Sequence, residues 1–288
     1  MKKKILVTGA NGQLGRCLQD AVHNSKPENH QFLFLDKFQL DISKKELVET
    51  FFFTNKVDYC VNCAAYTNVD LAETEAEQAF KINSDGVKFL AEECAEQNAV
   101  LIHISTDYVV DGKSFEPYYP DDKPNPINVY GKSKLEGERW ATELCPKSIV
   151  IRTSWVYSEY GKNFYTTMLR LMNEKEEINV VNDQIGKPTN ANDLVKALLD
   201  VMAQDSMDYG VYNYSNGGET TWFGFAEEIL RQTEKLKEAK LAKTNHYRTF
   251  ATRPEYSVLD NAKALNRLKL KQVDWRESLQ SVLKNKRH

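Results

Sequence analysis

The chain has 288 residues, of which 41% are hydrophobic and 27% charged, and a formal net charge of −3. That length supports one large or two modest domains around a substantial core. The charge balance offers no basic field to nucleic acid or anionic membrane, and no apolar run approaches the roughly 20 residues of a membrane span. The expectations are therefore no nucleic-acid partner, no membrane insertion and a cytoplasmic location.

The basic cluster Lys2-Lys-Lys4 leads into a strand and a glycine turn, not into the apolar core of a signal peptide. Residues 4–8 read as a short buried strand, and 14–23 as a helix with apolar residues at helical spacing. A strand over 31–35 ends at Asp36. A helix over 47–55, a strand over 57–62 and one long helix over 73–97, kinked near Gly86, come next. A strand over 100–104, a helix over 132–144 and a strand over 148–152 complete the first half. This alternation predicts a doubly wound parallel sheet with helices on both faces, a Rossmann-like α/β fold.

Past residue 153 the rhythm changes. Helices are expected over 163–174, 191–203, 221–237 and 274–284, strands over 177–181 and 210–214, and a loop over 246–259 containing Pro254. The pattern predicts a dinucleotide-binding domain over 1–155 and a smaller α/β substrate lobe over 156–288, with some segments returning to the first. Residues 111–126 carry four of the eight prolines and should be extended. The five cysteines are Cys17, Cys60, Cys63, Cys94 and Cys145. Cys60 and Cys63 fit a CxxC spacing, but inside a strand they point to opposite faces, and no second pair completes a zinc site. They read as small buried thiols.

Gly9, Gly12 and Gly15 follow the first strand at once and open a helix. In that position the first glycine permits a tight turn. The second lets backbone approach a pyrophosphate, and the third lets helix and strand pack closely. Amides at the helix start then face the phosphates. Asp36 stands roughly 20 residues on, where an acid binds the adenosine ribose hydroxyls. Lys37 and Arg16 are cations able to tolerate a 2′-phosphate, so the choice between NADPH and NADH stays open. Asp41 and Ile42 are placed to lie beside the adenine, although an acid at a helix start is also an ordinary cap.

Tyr130 and Lys134 lie four residues apart, on one face if that segment is helical. A free phenol titrates near 10, and a lysine ammonium beside it is expected to lower that value. Thr106 follows the fourth strand at its carboxyl end, where ligands gather in doubly wound sheets, and offers a hydroxyl to a substrate carbonyl. Ser105 beside it should point elsewhere. After the third strand, Ala64 and Ala65 are small enough to let a cofactor pass close to the backbone.

Together these stretches resemble the extended short-chain dehydrogenase/reductase family. The resemblance rests on Gly9-Ala-Asn-Gly-Gln-Leu-Gly15, Asn62-Cys-Ala-Ala-Tyr-Thr-Asn-Val-Asp70, Ser105-Thr-Asp-Tyr-Val109 and Asn128-Val-Tyr-Gly-Lys-Ser-Lys134. Arg152-Thr-Ser-Trp-Val-Tyr157, Asn182-Asp-Gln-Ile-Gly-Lys-Pro-Thr189 and Arg253-Pro254 extend it over nearly the whole chain and point to one branch. It implies that NADPH or NADH reduces a 4-keto sugar nucleotide. Gly12, Gln13, Leu14, Asp36, Asp41, Ile42, Ala65, Tyr66 and Thr67 would line the cofactor. Tyr130 would donate the proton, Lys134 would support it and bind the ribose, and Thr106 would orient the keto group. Asp107 and Trp155 would touch the sugar nucleotide, with Asn163, Gln184 and Arg253 on the same side, Arg253 toward a phosphate. Trp155 also reads as a core aromatic, and Asn83 either as a site member at a helix kink or as an ordinary helix asparagine. Some family members dimerise through magnesium held by glutamates. Cys17 and Asn192 occupy those places here, so no interfacial metal is expected, and the chain should be a monomer or a differently built homodimer. Two alternatives remain within reach of these motifs: a reductase or epimerase of another sugar nucleotide, and a non-catalytic NADP-binding regulatory subunit.

Overall fold

A computed structural model describes residues 2–204, 208–234, 240–244 and 249–285. The end of the helix expected over 221–237 and the start of the loop expected at 246 lie outside the described residues. In the first half the chain forms β1 (Lys3–Thr8), α1 (Gln13–Ser25), β2 (His30–Leu35), α2 (Lys45–Thr54) and β3 (Tyr59–Asn62). Short helices α3 (Val69–Ala72) and α4 (Ala76–Phe80) follow, then a π-turn over Lys81–Asp85 that runs into α5 (Gly86–Glu96). The half closes with β4 (Val100–Thr106), α6 (Val129–Leu144) and β5 (Ser148–Thr153). One long helix was expected over 73–97. The chain instead breaks before Ala76 and bulges at Lys81–Asp85, one residue before Gly86.

The second half contains β6 (Val156–Tyr157), α7 (Phe164–Glu174), β7 (Glu177–Val181), β8 (Ile185–Gly186), β9 (Thr189–Asn190) and α8 (Ala191–Met202). Then come β10 (Gly210–Asn213), β11 (Thr220–Thr221), α9 (Trp222–Gln232), β12 (Lys240–Thr244), α10 (Ala262–Arg267) and α11 (Trp275–Asn285). Six strands form one sheet in the order β2-β1-β3-β4-β5-β10, all pairs parallel. β10 thus returns from the second half to complete the first sheet.

Alternation along the strands divides the core in two. Ile5, Val7, Val61, Ile102 and Ile151 face a layer built by α1, α8 and α10, while Leu6, Cys60, Leu101 and Val150 face α2, α5 and α6. This is the doubly wound arrangement expected from the sequence, with near-continuous apolar strands because both faces are covered. A third cluster lies wholly in the second half, where Tyr157, Tyr165, Met168, Ile178, Phe225, Ile229, Trp275 and Leu279 pack together. The strand order reverses at β1, so the ligand crevice of such a sheet opens past the carboxyl ends of β1 and β3. No helix among the described residues is long and apolar enough to cross a membrane. The five cysteines are free thiols, and Cys60 lies buried within β3.

Arg152 of β5 and Glu138 of α6 form an ion pair whose side chains are only 5% and 4% exposed. Three guanidinium-to-carboxylate hydrogen bonds of 2.7–3.1 Å join them. Ser105 Oγ adds a donor to Glu138 Oε1 at 2.5 Å, and Arg152 Nη1 donates to the Pro120 carbonyl at 3.1 Å. Every charged atom of the pair is thereby satisfied, which is the condition under which a buried pair is tolerated. Arg152→Met strands the Glu138 carboxylate and should cost about 3–5 kcal/mol. A Glu138→Leu/Arg152→Met double variant should recover much of that loss. Urea unfolding midpoints check both.

Candidate active site

The turn after β1 requires a glycine at its first position. Gly9 has φ +64°, and a Cβ there would lie 2.6 Å from the Ala64 amide nitrogen. At Gly15 a Cβ would lie 2.5 Å from the Gly9 carbonyl oxygen, so the close helix–strand approach expected of the third glycine is present. Gly12 precedes α1 without a side-chain cap, and the first helical turn holds no acidic residue. Backbone amides and the positive end of the helix dipole therefore face the crevice with no acidic side chain of that turn to neutralise them. A cleft of about 230 Å³ lies there, lined among others by Gly9, Gly12, Asp36, Lys37, Asp41, Ile42, Cys63, Ala64 and Ala65. These residues fit a dinucleotide: phosphates against Gly12, an acid near the ribose, and small residues along the β3 edge.

Some expected lining residues are committed elsewhere. Leu14 is buried in the core layer under α1. Gln13 donates to the Val156 carbonyl and accepts from Asn163 Nδ2 at 2.6 Å, so it ties α1 to the second half. Asp36 accepts from Asn11 Nδ2 at 2.7 Å and from the amides of Phe38 and Gln39. Asp41 accepts from the Ser43 amide and hydroxyl in a local turn and does not cap α2, whose N-cap is Lys44 without a side-chain bond. Arg16 stacks on the Tyr160 ring at 4.0 Å.

Tyr66 and Thr67 lie on the loop after β3, and Asn83 in the π-turn holds that loop. Asn83 Oδ1 accepts from the Tyr66 amide at 2.8 Å, while its Nδ2 donates to the Tyr66 carbonyl and to Ser133 Oγ, each at 3.0 Å. The Asn83 carbonyl lies where a Cβ at Gly137 would be 2.1 Å away, so α6 comes as near as a glycine allows. Asn83 is fully buried and does more than an ordinary helix asparagine.

α6 begins at Val129, three residues before the expected 132, because Asn128 Oδ1 accepts from the Gly131 amide at 2.7 Å. Tyr130, Lys134 and Glu138 then fall on one face at successive turns. Thr106, at the end of β4, stands near Tyr130, close enough for its hydroxyl to bear on the phenol. Ser105 points the other way, to Glu138, as expected. Lys134 is 1% exposed and donates to the Ile104 carbonyl at 2.6 Å, with His103 Nε2 at 3.3 Å. Burial pushes Tyr130 up to about 12, against the lowering influence of the nearby Thr106 hydroxyl and with the Asp107 charge adding to the rise. The net lowering expected for this phenol is not met, because desolvation dominates. Lys134 itself is brought down to about 8 by burial, with Glu138 and Cys63 pulling it back up. A phenol raised this way is fully protonated at neutral pH and suited to donate to an alkoxide.

On the substrate side, Asp107 is buried, accepts from Ser257 Oγ at 2.6 Å and from Thr106 Oγ1 at 3.2 Å, and is raised by burial to about 6. Trp155 has φ +46°, a left-handed backbone that costs a non-glycine residue about 1–3 kcal/mol. Its ring lies flat on Trp222, centroids 3.6 Å apart and planes 8° apart, and against Gly186. It is only half-buried, so the simple core reading fails. Gln184 accepts from Trp222 Nε1 at 3.2 Å. Gln184, Trp222 and Arg253 line one apolar pocket with Phe164, Met168 and Ile178. Arg253 is paired with Asp70 at 2.8 Å. Asn163 caps α7, and its amide is spent on Thr166, Gln13, Ser158 and Tyr160, which makes it a brace between the halves. Trp222, Ser257 and His103 went unnoticed in the sequence. Trp222 opens an amphipathic helix and reads there as core, while His103 interrupts an apolar strand and was the one available signal.

Among the described residues no group of three or more His, Cys, Asp and Glu side chains is arranged to hold a metal. Cys17 is buried and raised to about 12, chiefly by desolvation, and Asn192 Nδ2 donates to Glu159 at 3.0 Å.

The family model described as RmlD substrate binding domain matches residues 2–288. A dTDP-4-dehydrorhamnose reductase of Aggregatibacter actinomycetemcomitans is 38% identical over 290 residues, covering 97% of this chain and 98% of that protein. The crystal structure of a dTDP-4-dehydrorhamnose reductase from Clostridium acetobutylicum superposes with TM-score 0.94 at 38% identity, covering 99% of this chain and 100% of the other. A dTDP-4-dehydrorhamnose reductase from Bacillus anthracis, solved in complex with NADP, gives 0.92 at 38% identity with the same coverage.

Asn83→Ala removes three hydrogen bonds of a fully buried side chain and leaves the Tyr66 amide and carbonyl unpaired. We expect about 1–3 kcal/mol of lost stability and a roughly tenfold weaker NADPH affinity. Urea unfolding and NADPH fluorescence titration measure the two effects, and an unchanged affinity would count against the bracing role.

Proposed function

The chain belongs to the family described as RmlD substrate binding domain, and from that premise we infer that it is an NADPH- or NADH-dependent reductase of a 4-keto sugar nucleotide. The reaction is reduction of dTDP-4-dehydro-β-L-rhamnose to dTDP-β-L-rhamnose, the last step of dTDP-L-rhamnose biosynthesis. The observation that carries it is that α6 sets Tyr130 and Lys134 on one face against the end of β4, where Thr106 stands, with Lys134 facing Cys63 of the cleft opened by Gly9 and Gly12.

Gly9, Gly12, Asp36, Asp41, Ile42, Ala64, Ala65, Tyr66 and Thr67 would hold the dinucleotide along that cleft. The nicotinamide, when bound, supplies the hydride. Thr106 would donate a hydrogen bond to the C4 oxygen and hold it against the phenol. Tyr130 would deliver its proton to that oxygen as negative charge develops. Lys134 supplies the positive charge that steadies the resulting phenolate. Asp107, Trp155, Gln184 and Arg253 would form the sugar-nucleotide side of the cleft. Residues 1–155 would then serve as the cofactor domain and 156–288 as the substrate lobe, with β10 and α8 packed onto the first.

Oxidation of NADPH and of NADH, followed at the nicotinamide absorbance with the keto-sugar supplied, tests this reading and ranks the two cofactors. Sugar-dependent loss is expected. No loss by a protein that binds NADPH would return the weight to another keto-sugar or to a binding-only role. Tyr130→Phe should keep NADPH affinity while turnover falls at least about 100-fold. Near-normal turnover would remove Tyr130 from its role.

A further inference from the structure

A chain of buried polar groups runs from β1 to the lysine of the site. Thr8 Oγ1 donates to Asn62 Oδ1 at 2.7 Å, and the Ala64 amide donates to the same oxygen at 3.1 Å. A backbone N–H can only donate, so the Asn62 amide is fixed with its oxygen toward Ala64 and its NH2 toward His103. That NH2 lies 3.1 Å from His103 Nδ1. Nδ1 must therefore accept, and a neutral ring carries its proton on Nε2. Nε2 in turn lies 3.3 Å from Lys134 Nζ. An ammonium has no lone pair, so an N–H aimed at it is repulsive; a neutral amine accepts that N–H and still donates to the Ile104 carbonyl at 2.6 Å.

We propose that His103, locked in its Nε2–H tautomer by Asn62, is a positioning residue that loosens the proton of Lys134. The proposal rests on the reductase reading of the site. His103 is fully buried, so it stays neutral: burial first, then the Lys134 charge, holds its ring well below the usual histidine range. The other charges facing the lysine oppose this effect. Glu138 on α6 and the Cys63 thiol past β3 favour the ammonium, but Glu138 is spent on Arg152 of β5. The result is a lysine whose ammonium is present at neutral pH and is lost as pH rises through its lowered value, taking with it the charge that steadies the phenolate.

Two variants separate this from simple packing. Asn62→Asp keeps the acceptor for Ala64 but presents a second oxygen to His103, which moves the ring proton to Nδ1 and lets Nε2 accept from Lys134. His103→Gln offers the lysine a carbonyl oxygen instead. Both should move the alkaline limb of kcat upward by about one pH unit or more, a tenfold change in the proton's equilibrium. Long-range 1H–15N NMR of the histidine rings reads the tautomer without turnover, with the His103 signals identified by their absence in His103→Gln. The parent should show Nε2–H. An Nδ1–H parent ring, a parent profile with no alkaline limb below pH 10, or limbs unmoved in both variants would each overturn the proposal. A parent protein without keto-sugar-dependent NADPH oxidation would instead overturn the reductase reading.

Discussion

The ion pair between Glu138 and Arg152 sets the rotation of α6, and the site follows from that rotation. Glu138, Lys134 and Tyr130 lie on one helical face at four-residue steps. With Glu138 held on β5 by three charge-assisted hydrogen bonds, the two residues before it on that face are brought to the end of β4. The Lys134 bond to the Ile104 carbonyl then fixes the height of the helix along the strand. Gly137 allows α6 to approach the Asn83 carbonyl, and the π-turn around Asn83 passes this constraint to the loop of Tyr66. One buried pair thus orders the proton donor, its supporting cation and one wall of the cofactor cleft.

Burial also sets the chemistry. Desolvation raises Tyr130 and lowers Lys134, so near neutral pH the phenol keeps its proton while the lysine is close to releasing its own. A reductase needs a donor, not a base, and a protonated phenol beside the Thr106 hydroxyl meets that need. Charge alone, by which lysine lowers tyrosine, leaves out the desolvation that burial imposes on both groups.

Much of the fold was legible because parallel strands buried on both faces are short apolar runs, and helices between them keep their spacing. The crevice was legible from Gly9 and Gly15, whose backbones leave no room for a Cβ. Other features left no local trace. The π-turn at Lys81–Asp85 arises from contacts of Asn83 with residues 17 and 50 positions away. The left-handed Trp155 runs against the preference of a bulky side chain, and its stack on Trp222 and Gly186 and the Thr189 amide on its carbonyl hold it there. α6 starts three residues ahead of its apolar spacing because the Asn128 side chain caps it. Asn163 reads from sequence as a substrate-side residue, whereas its side chain caps α7 and ties that helix to Gln13, 150 positions away.

The most direct test of the account follows the hydride itself. NADPH deuterated on its transferring face at C4 of the nicotinamide would be incubated with the protein and dTDP-4-dehydro-β-L-rhamnose, and the sugar product read by NMR. The account predicts one deuterium at C4 of the rhamnosyl ring, with a single configuration at that carbon. Deuterium at another sugar carbon, or a C4 epimer mixture without net cofactor oxidation, would contradict it.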